Sequence, residues 1–254
     1  MIFESHAHYD DEAFDDDRES LLASLQENGI EYVVNVGASL KSTASTIELT
    51  KRYDFIYGAA GVHPSEAAEL NEENFLWLVE QCKQPKIVAV GEIGLDYYWE
   101  EPEHEIQKIW FEKQLELARS IKKPVIIHSR EAAKDTYDIM CAHKAEEIGG
   151  VVHCYSYSAQ MAQDYVKMGF YIGIGGVVTF KNGKKMREVA ETVPLDRILL
   201  ETDSPYLAPE PNRGKRNSSL NIPYIAKQIA AIKDVSYEEV VAVTNANAKK
   251  LFHI

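Results

Sequence analysis

Eight short, mostly apolar runs recur along this chain, and that repetition constrains its fold more than any other feature. They lie at Met1–Ser5, Glu31–Val36, Phe55–Gly61, Lys86–Gly91, Pro124–Ile127, Gly150–Val152, Phe170–Ile174 and Arg197–Leu200. Between them, residues 20–28, 42–52, 72–81, 105–121, 132–143, 159–168 and 184–193 carry apolar side chains at helical spacing. In the fourth of these segments Ile106, Ile109, Trp110, Leu117 and Ile121 favour one face. The runs Ile87-Val88-Ala89-Val90 and Val125-Ile126-Ile127 are apolar on both faces, as strands of a covered parallel sheet must be. Strict alternation of strand and helix excludes an all-β sandwich. Eight such units in 254 residues predict one α/β domain spanning residues 1–254, a (β/α)8 TIM barrel with extra C-terminal helices at 223–232 and 238–251.

Composition narrows the function. The chain has 27 Lys+Arg against 40 Asp+Glu, a net charge of −13, with 45% hydrophobic residues. That is globular rather than disordered, and the charge opposes a protein that coats a polyanion. A small site made locally positive by metals remains compatible with it. No apolar stretch approaches a membrane span and the N-terminus lacks the pattern of a signal peptide, so a cytoplasmic protein without membrane contact is expected. The three cysteines, Cys82, Cys141 and Cys154, have no CxxC spacing and suggest neither a disulfide framework nor a zinc knuckle. No coiled-coil repeat is present, and the expected state is a monomer.

In a barrel of this kind the loops after the strands build the active site. The predicted strand ends carry His6-Ala7-His8, Gly91-Glu92, His128, His153 and Thr202-Asp203. Each alone has an ordinary explanation: an incidental HxH, a capping carboxylate, a core histidine, a turn aspartate. Together, four histidines and two carboxylates at one barrel mouth would be costly without a shared ligand. A pair of divalent cations removes that cost. The mixed N/O set suits Zn²⁺, Mn²⁺, Fe²⁺ or Co²⁺ better than Ca²⁺, and Mg²⁺ if waters complete its shell.

These residues stand in longer blocks: His6-Ala7-His8-Tyr9-Asp10, Gly61-Val62-His63-Pro64, Gly91-Glu92-Ile93-Gly94-Leu95-Asp96-Tyr97-Tyr98, Pro124-Val125-Ile126-Ile127-His128-Ser129-Arg130, His153-Cys154, Glu201-Thr202-Asp203-Ser204-Pro205 and Arg213-Gly214-Lys215-Arg216-Asn217. In them the chain resembles, nearly end to end, the TatD family of metal-dependent deoxyribonucleases, a branch of the amidohydrolase-like barrels. The resemblance implies that His6, His8 and Asp203 bind a first metal, that Glu92 bridges two, and that His128 and His153 bind the second. It implies a phosphodiesterase acting on DNA ends. Glu4 stands where an Asp commonly precedes the first histidine, and Tyr157 where a glycine is usual. The tyrosine is in a position to narrow the pocket.

The expected mechanism is hydrolysis by a water activated between two metals, with Asp203 as general base. His63 is either a phosphate donor or general acid, or a structural turn histidine; Asp96 either orients an imidazole or caps a loop. Arg130, Arg213, Lys215 and Arg216 are candidate phosphate ligands, and Tyr97, with Tyr98 and Trp99, a candidate base-stacking platform. Cys154, one residue past His153 on a strand, is expected to point away into the helix layer. The leading reading is a nuclease acting exonucleolytically on single-stranded or frayed DNA ends. The alternative keeps the site and hydrolyses a small ester, lactone or C–N bond, and a third is a binding module that has kept the barrel.

Overall fold

The computed structural model describes residues 1–254. Its eight strands are β1 (Ile2–Ala7), β2 (Ile30–Val36), β3 (Ile56–Ala60), β4 (Ile87–Asp96), β5 (Val125–Arg130), β6 (Gly150–Val152), β7 (Tyr171–Ile174) and β8 (Ile198–Leu200). They form one sheet in sequential order with every pair parallel. Between them run α1 (Arg18–Leu25), α2 (Leu40–Arg52), α3 (Glu72–Cys82), α4 (His104–Ile121), α5 (Ala133–Ala142), α6 (Ala159–Lys167) and α7 (Lys184–Thr192), and after β8 come α8 (Ile222–Lys233) and α9 (Tyr237–Phe252). Four of the helices, α2, α3, α6 and α9, start where the sequence supplies an oxygen acceptor: Ser39, Asn71, Ser158 and Ser236 each accept a hydrogen bond from a backbone N–H in the first turn. No helix is long and apolar enough to cross a membrane.

Two apolar cores follow from the alternation of strand side chains. The larger, of 53 buried residues, fills the layer between strands and helices. The smaller, of 12, takes Phe3, Val34, Val36, Ala59, Ala89, Ile126, Val151, Tyr171 and Leu199 from the strands and Ala248, Leu251 and Phe252 from α9. Phe252 stacks on Phe3 at 5.9 Å, and Asn247 donates to the carbonyls of Leu195 and Ile198 at the start of β8, so α9 plugs the N-terminal end of the barrel. Chemistry is thereby confined to the opposite mouth.

The seam between β1 and β8 has no continuous ladder. It is joined at the mouth by Asp203 N–H to His6 O at 3.0 Å and His8 N–H to Ser204 O at 2.8 Å. Below these, Glu4 accepts from the N–H groups of His6 and Thr202 on Oε1, at 3.1 and 2.9 Å, and from the hydroxyls of Thr202 and Ser219 on Oε2, at 2.6 and 2.9 Å. One fully buried carboxylate thus links the strand that carries His6 and His8 to the segment that carries Asp203.

The strands β4 and β5 run further than their apolar runs suggest, to Asp96 and Arg130. Glycine makes that possible. Gly94 has φ +144° and pairs with His128, and a Cβ there would lie 1.9 Å from the His128 carbonyl oxygen. Glu92 and His128 therefore sit within paired strands rather than on loops.

Candidate metal centre

Glu92 is the centre of the mouth, 3% exposed, with its two oxygens facing different groups. Oε2 lies 3.4 Å from His6 Nε2 and 3.7 Å from His8 Nε2. Oε1 lies 2.8 Å from His128 Nδ1, 2.6 Å from His153 Nε2 and 3.7 Å from His63 Nε2. On the Oε2 side Asp203 Oδ1 is 3.8 Å from His6 Nε2 and 3.4 Å from His8 Nε2, and those two nitrogens are 3.1 Å apart. An ion with bonds of about 2.1 Å has tetrahedral donor–donor edges of about 3.4 Å, so this group is already spaced for one. The donor chemistry and spacing both fit a divalent metal on that side.

On the Oε1 side the separations are those of hydrogen bonds, so a metal there has to displace protons. The six residues expected at the strand ends converge at this one place.

Partners behind the ligands fix which nitrogen faces inward. His8 Nδ1 donates to the Val36 carbonyl at 2.8 Å, leaving Nε2 free. His128 Nε2 lies 3.0 Å from Asp96 Oδ2, while Asp96 itself takes Tyr98 N–H on Oδ1 and gives its own N–H to Gln107. Asp96 is therefore an orienting carboxylate. His63 Nδ1 accepts from the Ser65 amide at 3.1 Å, which puts the proton of its neutral ring on Nε2, toward Glu92. That tautomer is a donor rather than a metal ligand.

Glu201 is a component that sequence reasoning overlooked. It is 1% exposed, and one ligand atom of it lies within 4.8 Å of one each from His6 and His153, whose rings stack at 3.9 Å beside it. Burial pushes its carboxyl well above the usual range, and a Cβ on Gly173 would meet the carboxyl oxygen at 2.2 Å. The signal was present: Glu201 and Asp203 stand at i, i+2, as His6 and His8 do. Within Gly173-Ile174-Gly175-Gly176 it is Gly173 that makes room for this side chain, while Gly176 admits the Leu207 carbonyl.

Three expectations need correction. Cys154 adopts φ +42°, which breaks strand alternation, and its thiol lies close enough to Asp203, Glu201 and Glu92 that burial and their charge push it well above the ordinary thiol range. It faces the site, not the helix layer. Tyr97 is not open for stacking, because its hydroxyl donates to Asp135 at 2.8 Å and its ring stacks on His104 at 3.7 Å. Arg216 is held by Asp17 through two bonds of 2.7 and 2.6 Å and by the Ala13 carbonyl, so it anchors its loop instead of facing a substrate. Tyr157 bonds Ser129 Oγ at 2.9 Å and the Ala132 amide at 3.2 Å, bracing the segment that presents Arg130. Lys215 is exposed and makes no ion pair.

The metal-free pocket holds protons. Burial works against charge on His8 and His128, but the hydrogen bonds that His8 donates to Asp203 and His128 donates to Asp96 and Glu92 win, raising them to about 10 and about 9. Burial lowers His6 to about 4 and His63 to about 3, while Glu92 and Asp203 are kept below the usual carboxylate range by the surrounding imidazoles despite burial. At neutral pH a divalent cation therefore displaces protons from His8 and His128, and its apparent affinity should tighten as pH rises toward about 9. Calorimetry in buffers of different ionisation enthalpy should read close to two protons released at pH 7. Binding with no proton release would contradict this account.

A parallel eight-stranded barrel with histidines and carboxylates gathered at its mouth has the architecture of a metal-dependent hydrolase. The family model described as TatD related DNase matches residues 3–253, and the chain belongs to that family. It is 42% identical, over the whole of both chains, to YabD of Bacillus subtilis, named as an uncharacterized metal-dependent hydrolase. A protein of Cronobacter sakazakii named 3'-5' ssDNA/RNA exonuclease TatD is 33% identical, over 94% of this chain and 93% of that one. Among solved structures, the TatD homologue YjjV of Escherichia coli superposes with a TM-score of 0.92 at 29% identity, covering 100% of this chain and 98% of that one.

Proposed function

We propose that the chain is a nuclease that removes nucleotides from single-stranded or frayed DNA ends. The observation that carries this reading is the state of its arginines. Arg18, Arg52, Arg119, Arg187, Arg197 and Arg216 all donate to protein oxygens. Arg130 and Arg213 alone among the eight do not. Both lie over aromatic rings, Arg130, the last residue of β5, at 3.7 Å over Tyr98 and Arg213, in the segment after β8, at 4.3 Å over Phe180. A guanidinium that lies over a ring and donates to no protein oxygen keeps its donors free for a bidentate phosphate. Arg130 is the register partner of Asp96, which holds His128, and with Arg213 and exposed Lys215 it offers free positive charge suited to a substrate with more than one phosphate.

Divalent metals held by His6, His8, Glu92, His128, His153 and Asp203 would supply Lewis acidity at a phosphoryl oxygen and bring a water's pKa near neutrality. Asp203, whose carboxyl already lies below its usual range despite burial and would be held ionised by an adjacent cation, orients the attacking water and takes its proton. Its backbone is left-handed, φ +57°, which aspartate tolerates and which turns the carboxylate into the mouth. His63 stays neutral and donates its Nε2–H to a non-bridging or leaving oxygen. Glu92 keeps both halves of the centre in one geometry.

The test is metal-dependent cleavage of end-labelled single-stranded and double-stranded DNA by the purified protein with Mg²⁺ or Mn²⁺, beside a panel of small phosphodiesters and lactones. Stepwise shortening of single strands, faster than of blunt duplex, is expected. Turnover of the small esters or lactones alone would replace this reading with that of a small-molecule hydrolase.

A further inference from the structure

Neither the metal donors nor the phosphate ligands account for the aromatic rim above His128. Beyond β4 the chain turns outward, with Tyr98 N–H bonded at 3.0 Å to the Asp96 carboxyl whose other oxygen holds His128. Asp96 is also the register partner of Arg130. Tyr98 is flanked by the Arg130 guanidinium and by Trp99, which meets it edge-to-face at 4.7 Å and 89°. Trp99 itself is 55% exposed, the most open of the three tryptophans. A large indole that meets Tyr98 edge-to-face remains more than half in water, next in sequence to the ring that carries the Arg130 guanidinium and three residues from the carboxylate that orients His128.

We propose that Trp99, braced by Tyr98 and Arg130, is a stacking subsite for an unpaired nucleobase adjoining the scissile phosphodiester, with Arg130 taking that nucleotide's phosphate. The inference rests on the nuclease reading and adds the means of selection. A flat, sequence-tolerant π-face beside a bidentate phosphate ligand recognises a nucleotide by its two invariant parts. A base within a duplex is stacked on both sides and cannot reach it. Single strands and frayed ends are therefore chosen by the cost of unstacking.

The experiment compares wild type, Trp99→Ala and Trp99→Phe on short single-stranded oligodeoxynucleotides with an ordinary base, or an abasic sugar, at either end. Trp99→Ala should raise KM about tenfold, and Trp99→Phe should recover most of that loss. An abasic terminal residue should cost wild type a similar factor and cost Trp99→Ala nothing further, because the two changes remove the same contact. An unchanged KM in Trp99→Ala, or penalties that simply multiply, overturns the subsite while leaving the nuclease reading intact. A second arm reads binding alone: with EDTA present, an oligonucleotide should quench indole fluorescence in wild type and not in Trp99→Ala. If wild type cleaves no oligonucleotide the nuclease reading fails, and absence of that quenching then removes the subsite with it.

Discussion

Glu92→Gln is expected to lower hydrolytic activity by more than about a thousandfold while leaving the fold intact, beyond the roughly 10–100-fold typical of groups that only orient a ligand. The substitution keeps shape and volume in a position that is 3% exposed. What it removes is the charge that faces His6 and His8 through one oxygen and His128 and His153 through the other. An amide offers only one acceptor oxygen, so one side of the centre loses its ligand and gains an NH₂ aimed at imidazole nitrogens. A second readout needs no metal. His128 is raised to about 9 by Asp96 and Glu92 together, so its pKa in the metal-free variant should fall, as followed by NMR titration. Activity within about tenfold of wild type would show that Glu92 is not the hub.

Glu4→Ala should be the most destabilising single change at the β1–β8 seam, by about 3–6 kcal/mol. It strands the buried N–H groups of His6 and Thr202, at about 1–3 kcal/mol each, and leaves a cavity. Glu4→Gln should cost far less, because its carbonyl oxygen still serves both amides and the hydroxyls of Thr202 and Ser219 can turn to accept from its NH₂. The pair also separates charge from shape. Burial raises Glu4 from 4.5 to about 7, its four donors offsetting only part of that. A carboxyl with a folded pKa above its unfolded one favours the folded state below about 4.5, and that contribution is lost as pH rises to about 7. Urea unfolding of the metal-free proteins should therefore show the stability of wild type falling relative to that of Glu4→Gln as pH rises across that window. Equal slopes would mean that Glu4 is not the titrating group.

The barrel and the convergence of donors were legible because both depend on local periodicity. Eight apolar runs dictate a parallel sheet, and side-chain alternation puts His6 and His8 on one face at its C-terminal end. Harder to read were residues whose placement depends on backbone exceptions or on distant partners. The left-handed φ of Cys154 reverses the side expected from alternation. Arg216 finds Asp17 from 199 residues away, and Tyr97 finds Asp135, pairings that no spacing rule contains. Glycine hid the length of β4: Gly91 and Gly94 permit the close β4–β5 approach, with Gly94 paired to His128 and Glu92 at the irregularity between Val90 and Ile93. Glu201 was visible in sequence but uncredited, because its role depends on the space left by Gly173 on a neighbouring strand.

The most direct test of the centre is anomalous diffraction from crystals of the protein grown with Mn²⁺. The account predicts two peaks roughly 3.5–4 Å apart on either side of Glu92, one among His6, His8 and Asp203 and the other between His128 and His153. A single peak, or a pair with Glu92 outside both coordination spheres, would contradict it.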